Sequence, residues 1–396
     1  MRGTEKGIIF VAAAGIILLG CLAAGLFAKG KGARSGREYI ENVMETSGEI
    51  AGNGTINERE NMENYNMHGK IPGGSQQTGT KDEMSYAPEN QMETENTEDS
   101  ETEDSEKAME QTSSEVVMLF AGDVYFSNHV LNAYDKAGGI QGVLDEEIRS
   151  EIQKADIFMV NQEFPFTERG TAAADKQFTF RVPESRMHLM QEMGIDIVTL
   201  ANNHILDFGT EGLLDSCSAL DKAGILYVGA GEDLERASAL QTIAIGQKKI
   251  GFLGTSRVYM DASWAAGNSH PGVFSTYDVT LPLKVIEEAK QNCDYLVVYV
   301  HWGVEKETTP KEYQQTMGRA YIDAGADLVV GSHPHVLQKT EEYKGKTIVY
   351  SLGNFVFGSS ILHTALLKVV WRNDGTTVSM IPCTSSGGYT HTALSP

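Results

Sequence analysis

Cysteine is scarce in this chain: four residues of 396, Cys21, Cys217, Cys293 and Cys383, widely spaced and without a CxxC pair. That spacing excludes a zinc knuckle and a disulfide framework as organising principles. The three downstream thiols are expected to be buried as small apolar side chains. Basic clusters are also missing after residue 37, so no stretch beyond it offers the Lys and Arg that phosphate contacts demand. Nucleic acid is therefore excluded as a partner of any basic face. Evenly spread acidity is absent too. The chain holds 54 acidic and 32 basic side chains, net −22, but residues 1–37 carry six basic and one acidic residue and residues 38–115 carry 20 acidic and four basic. Residues 116–396 hold the remaining 33 acidic and 22 basic side chains, a net charge of −11.

Branched aliphatic residues are nearly lacking from 29 to 115, where Glu, Asn, Thr, Ser, Gly and Met dominate. Such a stretch cannot bury enough apolar surface to offset the entropy of ordering it, so a disordered linker is expected there. Its block from Glu93 to Glu106 repels itself and reads as an extended, solvated spacer.

What is present begins with a single long apolar run. Ile8 to Ala28 comprises 21 residues without a charge, and at about 1.5 Å per helical residue it reaches about 31 Å, the hydrocarbon thickness of a bilayer. Residues 1–7 are then a short tail and 8–28 a transmembrane anchor. Leu18-Leu19-Gly20-Cys21 resembles a lipobox, but Leu22 to Phe27 are apolar, so cleavage before Cys21 would leave an apolar mature end. An uncleaved anchor fits better. Lys29, Lys31, Arg34 and Arg37 follow the span, and the positive-inside rule alone would put the C-terminal side in the cytoplasm. A short tail before one anchor, with a surface tether after it, favours the opposite orientation. The reading taken is a single-pass cell-membrane protein with its C-terminal domain, 116–396, extracellular.

From Val116 the pattern alternates. Apolar runs at Val116–Ala121, Ile157–Val160, Ile195–Leu200, Tyr295–Val300 and Leu328–Val330 predict strands, with Leu240–Ile245 and Lys249–Gly254 as a strand pair. Between them, Ile148 and Ile152, Leu213, Cys217 and Leu220, Leu283 to Ala289, and Tyr313, Met317 and Ala320 fall on helical faces, and Glu184 to Met193 reads as a further helix. This alternation predicts an α/β domain with a largely parallel central sheet, completed by strands around Thr347–Ser351, Leu366–Trp371 and Thr377–Ile381. In such sheets sites form beyond the carboxyl ends of strands, where loops converge. Five successive strand ends carry a metal-capable group: Asp123; Asn161 and Glu163; Asn203 and His204; His301; His333 and His335. Singly, Gly122-Asp123 reads as a turn, Asn202-Asn203-His204 as a helix N-cap, and His301-Trp302 as a buried aromatic cluster. Together, imidazole and carboxylate donors suit zinc, manganese or iron, and a bridging carboxylate would let two ions lie close enough to activate one water.

With Gly122-Asp123, Asn161-Gln162-Glu163-Phe164-Pro165, Ala201 to Gly209, His301-Trp302-Gly303-Val304-Glu305, Gly331 to His335 and Tyr350 to Phe355 in hand, the domain resembles the poly-gamma-glutamate capsule synthesis protein family, a branch of the calcineurin-like metallophosphoesterase superfamily. The resemblance runs from about Val116 to Phe357. It implies a metallophosphoesterase-like layered sheet domain with helices on the outside, after one transmembrane helix and a disordered linker. It further implies that Asp123 binds one metal, Glu163 stands for the bridging aspartate, Asn203 ligates a second metal, and His204 is the acid that assists the leaving group. His301, His333 and His335 resemble the superfamily's remaining histidine ligands. Two departures stand out: Tyr125 occupies the place of a ligand histidine, and Asn202 that of a glycine.

Three functions follow as expectations. The first is an anchored component of poly-gamma-glutamate synthesis or export, working beside membrane-embedded capsule synthase subunits. The second is a metal-dependent hydrolase of a phosphate ester or an amide in an anionic envelope polymer. The third is a non-catalytic binding module with a vestigial metal site. Repulsion between the −11 domain and a polyanion calls for bridging divalent cations or a basic strip, for which Arg257, Lys306 and Lys339 are candidates, each read first as a solvated surface charge.

Overall fold

The computed structural model describes residues 115–393. The expected anchor, 8–28, and all of the linker except Glu115 lie outside the described residues. Among the described residues no helix is long and apolar enough to cross a membrane.

Alternation along the buried strands decides the layering. In β1 (Glu115–Val124) every residue from Met118 onward is buried, which requires cover on both faces. Val116, Met118 and Phe120 enter one core, while Leu119, Ala121 and Val124 enter another. The chain continues through α1 (Asn128–Ala137), α2 (Glu146–Lys154), β2 (Ile157–Gln162), α3 (His188–Glu192), β3 (Ile197–Thr199), α4 (Gly209–Ala223) and β4 (Leu226–Val228). A second run follows: β5 (Ala230–Gly231), α5 (Leu234–Ala237), β6 (Gln241–Ile245), β7 (Lys248–Ser256), β8 (Gly272–Val273), α6 (Thr280–Lys290), β9 (Tyr295–His301), α7 (Glu312–Asp323) and β10 (Leu328–Ser332). It closes with β11 (Thr340–Tyr343), β12 (Lys346–Val349), β13 (Asn354–Val356), β14 (Ser360–Arg372), β15 (Gly375–Ser386) and β16 (Tyr389–Thr392).

These strands form two large sheets rather than the single central sheet expected. One has eight strands, in the order β16-β15-β14-β1-β2-β3-β4 with β13 alongside β1; the other has six, in the order β11-β12-β10-β9-β7-β6. β1 to β4 run parallel, as do β7, β9, β10 and β12. Antiparallel strands extend the first sheet and edge the second. Periodicity could not separate one sheet from two, because a strand buried on both faces looks the same beneath a helix or beneath a second sheet.

The core between the sheets joins Met118, Phe120, Ile157 and Met159 to Tyr295, Val297, Tyr299 and Leu328. Outside the first sheet, Val130 of α1, Ile148 and Ile152 of α2 and Leu213, Cys217 and Leu220 of α4 pack on Leu119, Phe158 and Val198. Outside the second, Leu283 and Ile286 of α6 and Met317 and Tyr321 of α7 pack on Leu296, Val298 and Val300. The result is a layered α/β domain with helices on the outside. Cys217 and Cys383 are buried, whereas Cys293 is only partly so, against expectation.

The five strand ends are not successive. Those of β1, β2 and β3 belong to the first sheet and those of β9 and β10 to the second, so the crevice opens along the seam between sheets. Tyr299 Oη donates to the Ala121 carbonyl at 2.7 Å and ties the two sheets together next to Asp123.

Candidate metal centre

Asp123 lies within β1 rather than after it, because the strand exchanges partners along its length. Up to Phe120 it pairs antiparallel with β14; at Asp123 it pairs parallel with β13, placing Asp123 opposite Asn354. The Asp123 amide donates to the Gly353 carbonyl at 2.9 Å. A Cβ at Gly122 would lie 1.8 Å from that carbonyl oxygen, and Gly353 itself sits at φ +65°. Two glycines therefore permit the close approach that puts Asp123 beside Asn354.

All eight residues singled out in the sequence converge in this crevice, and Asp123, Asn161, Glu163, His204, His301 and His333 are buried. Asn161 Nδ2 donates to Asp123 Oδ1 at 2.8 Å. His335 Nδ1 is 3.1 Å from Asp123 Oδ2 and 3.8 Å from Glu163 Oε2. His301 Nε2 lies 3.4 Å from Glu163 Oε1 and 2.8 Å from Asn203 Oδ1, while its Nδ1 is 3.0 Å from Ser332 Oγ. His333 completes the group, with its ring centroid 4.8 Å from that of His301 and 6.0 Å from that of His335. Glu163 is thus shared: one carboxylate oxygen faces His335 and the other faces His301.

Donor atoms of Asp123, Glu163 and His301 all lie within 4.8 Å of one another, and so do those of Glu163, His333 and His335. Both Glu163 oxygens and His333 Nδ1 are buried, and among the described residues none of the three has a hydrogen-bond partner. A buried carboxylate left this way is strongly unfavourable unless a cation satisfies it. Residues and orphaned atoms alike therefore fit a bound divalent ion. The turn that carries the paired histidines is strained in keeping with a site, since His333 and His335 adopt φ +97° and +58°, each at a cost of about 1–3 kcal/mol.

Electrostatics agree with this chemistry. Burial and the neighbouring Asp123 hold the Glu163 carboxyl well above its ordinary range. Burial, then the other histidines, hold His301 and His333 well below theirs. Burial alone would lower His335, but Glu163 and Asp123 outweigh it and push it up to about 9. Glu163 and His335 are thus the groups whose protons a bound cation would displace.

Asn202 is not a helix N-cap. α4 begins only at Gly209, and the Asn202 carboxamide oxygen instead accepts from the amides of His204 and Ile205, each at 3.0 Å, while its nitrogen donates to Asn161 Oδ1 and the Gln162 carbonyl. This turn aims His204 into the crevice. His204 Nδ1 lies 2.7 Å from Asp207 Oδ2, which leaves Nε2 as the ring's free nitrogen, and Phe180 stacks on the imidazole with centroids 4.0 Å apart. Burial lowers the His204 pKa, partly countered by Asp207.

Two of these residues escaped the sequence reading. Lys176 donates to the Asn203 carbonyl and to Asp207 Oδ1 and stands 3.1 Å from His204 Nδ1, and the Phe180 amide donates to Asp207 Oδ2 at 2.6 Å. Both come from the irregular segment between β2 and α3, which has no strand or helix period to place it. Tyr125 stacks on Phe180 with centroids 4.2 Å apart and meets Phe357 edge-on at 5.5 Å. Among the candidate basic residues, Arg257 is no free surface charge: it lies over the rings of Tyr277 and Tyr313, 4.8 Å from each centroid. Lys306 and Lys339 are exposed.

Comparison with known proteins identifies the family. Two curated relatives match most of the folded part: the capsule biosynthesis protein CapA of Bacillus anthracis, 32% identical over 273 residues, and the PGA biosynthesis protein CapA of Bacillus subtilis, 32% identical over 264. The alignments cover 66% of this chain and 66% of the first protein, and 65% and 68% for the second, so the chain spans about two thirds of the length of these relatives. A probable polyglutamine synthesis accessory protein of Mycobacterium tuberculosis is 31% identical over 51% of this chain and 55% of its own. Among solved structures, the sulfate thiohydrolase SoxB of Thermus thermophilus superposes with a TM-score of 0.40 at 14% identity, over 67% of this chain and 56% of that one. The family model described as bacterial capsule synthesis protein PGA_cap matches residues 117–359, a span that contains every residue of the crevice, and the chain belongs to that family.

Proposed function

We propose that this is a membrane-anchored, extracytoplasmic protein of poly-gamma-glutamate capsule biosynthesis or export whose seam between sheets binds divalent metal. Membership of the capsule synthesis family and the printed names of the Bacillus relatives support the capsule role. The observation that carries the metal reading is the buried Glu163 carboxylate, without a hydrogen bond among the described residues and flanked by His301 and His335. Glu163 would be shared between two ions: its Oε2, which faces His335, would hold one together with Asp123, and its Oε1, which faces His301, would hold a second together with Asn203 and His333. Manganese, zinc or iron suits this mixture of imidazole, carboxylate and amide donors. Such ions supply Lewis acidity and lower the pKa of water. They would also bridge a polyanion to the acidic domain.

The paired His204 and Asp207 favour hydrolysis over passive binding. Asp207 fixes the imidazole through Nδ1 and Phe180 holds the plane of the ring, so Nε2 is the nitrogen that would take up a proton from water and then pass it to a departing oxygen or nitrogen of an envelope polymer. Membrane-embedded synthase subunits would be the partners that supply or receive that polymer.

Metal analysis of the purified full chain, together with His204→Ala and His333→Ala variants tested for capsule restoration in a deletion strain, examines this. The wild type should retain divalent metal, His333→Ala should lose some of it, and His204→Ala should keep the metal but fail to restore the capsule. Full restoration by both variants and a metal-free wild type would leave a binding module.

A further inference from the structure

Resting on the metal reading of the crevice, we propose that Asn354 is itself a metal ligand, through its carboxamide oxygen, on the ion shared by Asp123, Glu163 and His335. Asn354 Oδ1 lies 2.7 Å from His335 Nδ1, the atom that is also 3.1 Å from Asp123 Oδ2 and 3.8 Å from Glu163 Oε2. One imidazole nitrogen is thus surrounded by three oxygens, from β1, from β13 and from the residue that follows β2. Atoms bound about 2.1 Å from one ion stand about 3.0 Å apart at octahedral angles and about 3.4 Å at tetrahedral ones, and the three separations straddle these values. A hydrogen bond alone would account for the contact between Asn354 and His335. With the Asp123 and Glu163 carboxylates, the Asn354 oxygen makes three oxygens gathered on one imidazole nitrogen, the mixed donor set that a divalent ion takes.

The backbone shows why position 354 serves. β13 enters the sheet only where β14 leaves β1, and its first residue pairs with Asp123. The close approach of Gly122 and Gly353 sets that register, since any side chain at 122 would strike the Gly353 carbonyl. Meanwhile the side chain two residues beyond Asp123 is engaged elsewhere, with Tyr125 stacked on Phe180 and edge-on to Phe357. The oxygen that completes this set therefore arrives from the neighbouring strand rather than from β1 itself.

Substituting Asn354→Cys in the full chain and reloading the chelated protein with cobalt(II) tests the bond directly. A thiolate bonded to cobalt produces a near-ultraviolet charge-transfer band, whereas a thiol that merely contacts His335 produces none. The band should appear in Asn354→Cys and be absent from wild type, whose own cysteines are the blank. Asn354→Ala should weaken one cobalt site by about 10- to 100-fold, and Asn354→Asp, which keeps the oxygen, should bind at least as tightly as wild type. Cobalt uptake by Asn354→Cys without the band overturns the proposal and leaves the metal centre standing. Wild-type protein that takes up no cobalt overturns the metal centre itself. Should Asn354→Cys fail to fold, unchanged affinity in Asn354→Ala is the overturning result.

Discussion

Lys176 shows how much of this site hangs on single side chains. Its ammonium bridges the Asn203 carbonyl and the fully buried Asp207, and Asp207 in turn holds His204 and the Phe180 amide. Burial lowers the Lys176 pKa and the Asp207 charge works against that. Lys176→Met strands a buried carboxylate, and removing one partner of such a pair is expected to cost about 3–5 kcal/mol, measured as a fall in urea unfolding free energy. A change below about 1 kcal/mol, the range of exposed pairs, would show that water reaches Asp207 and that the bridge is ornamental. Residues of this kind are hard to read from sequence. Asp123, Glu163, His204, His301, His333 and His335 announced themselves because they end apolar runs, whereas Lys176 lies in a polar connection where a lysine is ordinary.

At the scale of elements, the meeting of β1 and β13 matters most. The pairing spans two residues of β1 and depends on Gly122 having no Cβ. Gly122→Ala drives a methyl into the Gly353 carbonyl, an overpacking expected to cost about 1–3 kcal/mol or more, and it should separate Asn354 from Asp123. Calorimetry of the variant should show melting lowered by several degrees, at roughly 2–4 °C per kcal/mol for a domain of this size. Gly358→Ala is the control, because a Cβ there meets nothing within 4 Å, and its effect should stay within about 0.5 kcal/mol. Equal stability of the two variants would mean that β1 and β13 can separate freely. The helices and strands themselves were largely legible from their periods. The exchange of partners along β1 was not, because a two-residue strand contact has no period.

For the whole molecule, charge and hydropathy divide the sequence into an apolar run, an acidic stretch and a folded body, and the proposal that the body lies outside the cytoplasm can be checked on the full chain. A C-terminal fusion to an enzyme active only outside the cytoplasm should be active, and the same fusion to one active only inside should be silent. The reverse pattern would give the basic residues after the span, Lys29, Lys31, Arg34 and Arg37, their usual meaning. Inside the folded body, the layering gives the −11 charge a setting: the buried carboxylates line the seam where the two sheets meet, and cations bound there would offset them locally.

Sequence alone determined the apolar run long enough to span a bilayer, the polar composition of the stretch after it, the alternation of helix and strand, and the eight polar residues at strand ends, because each depends on near neighbours in the chain or on composition. Tertiary structure decided what depends on distant segments meeting. It split one expected sheet into two, divided the strand ends three and two across the seam, and turned Glu163 into a carboxylate shared by His301 and His335. It also brought Lys176 to Asp207 and Asn354 to His335, contacts between residues 31 and 19 positions apart. No local pattern encodes such contacts, since they arise only when packed sheets bring the carboxyl ends of their strands to the same edge.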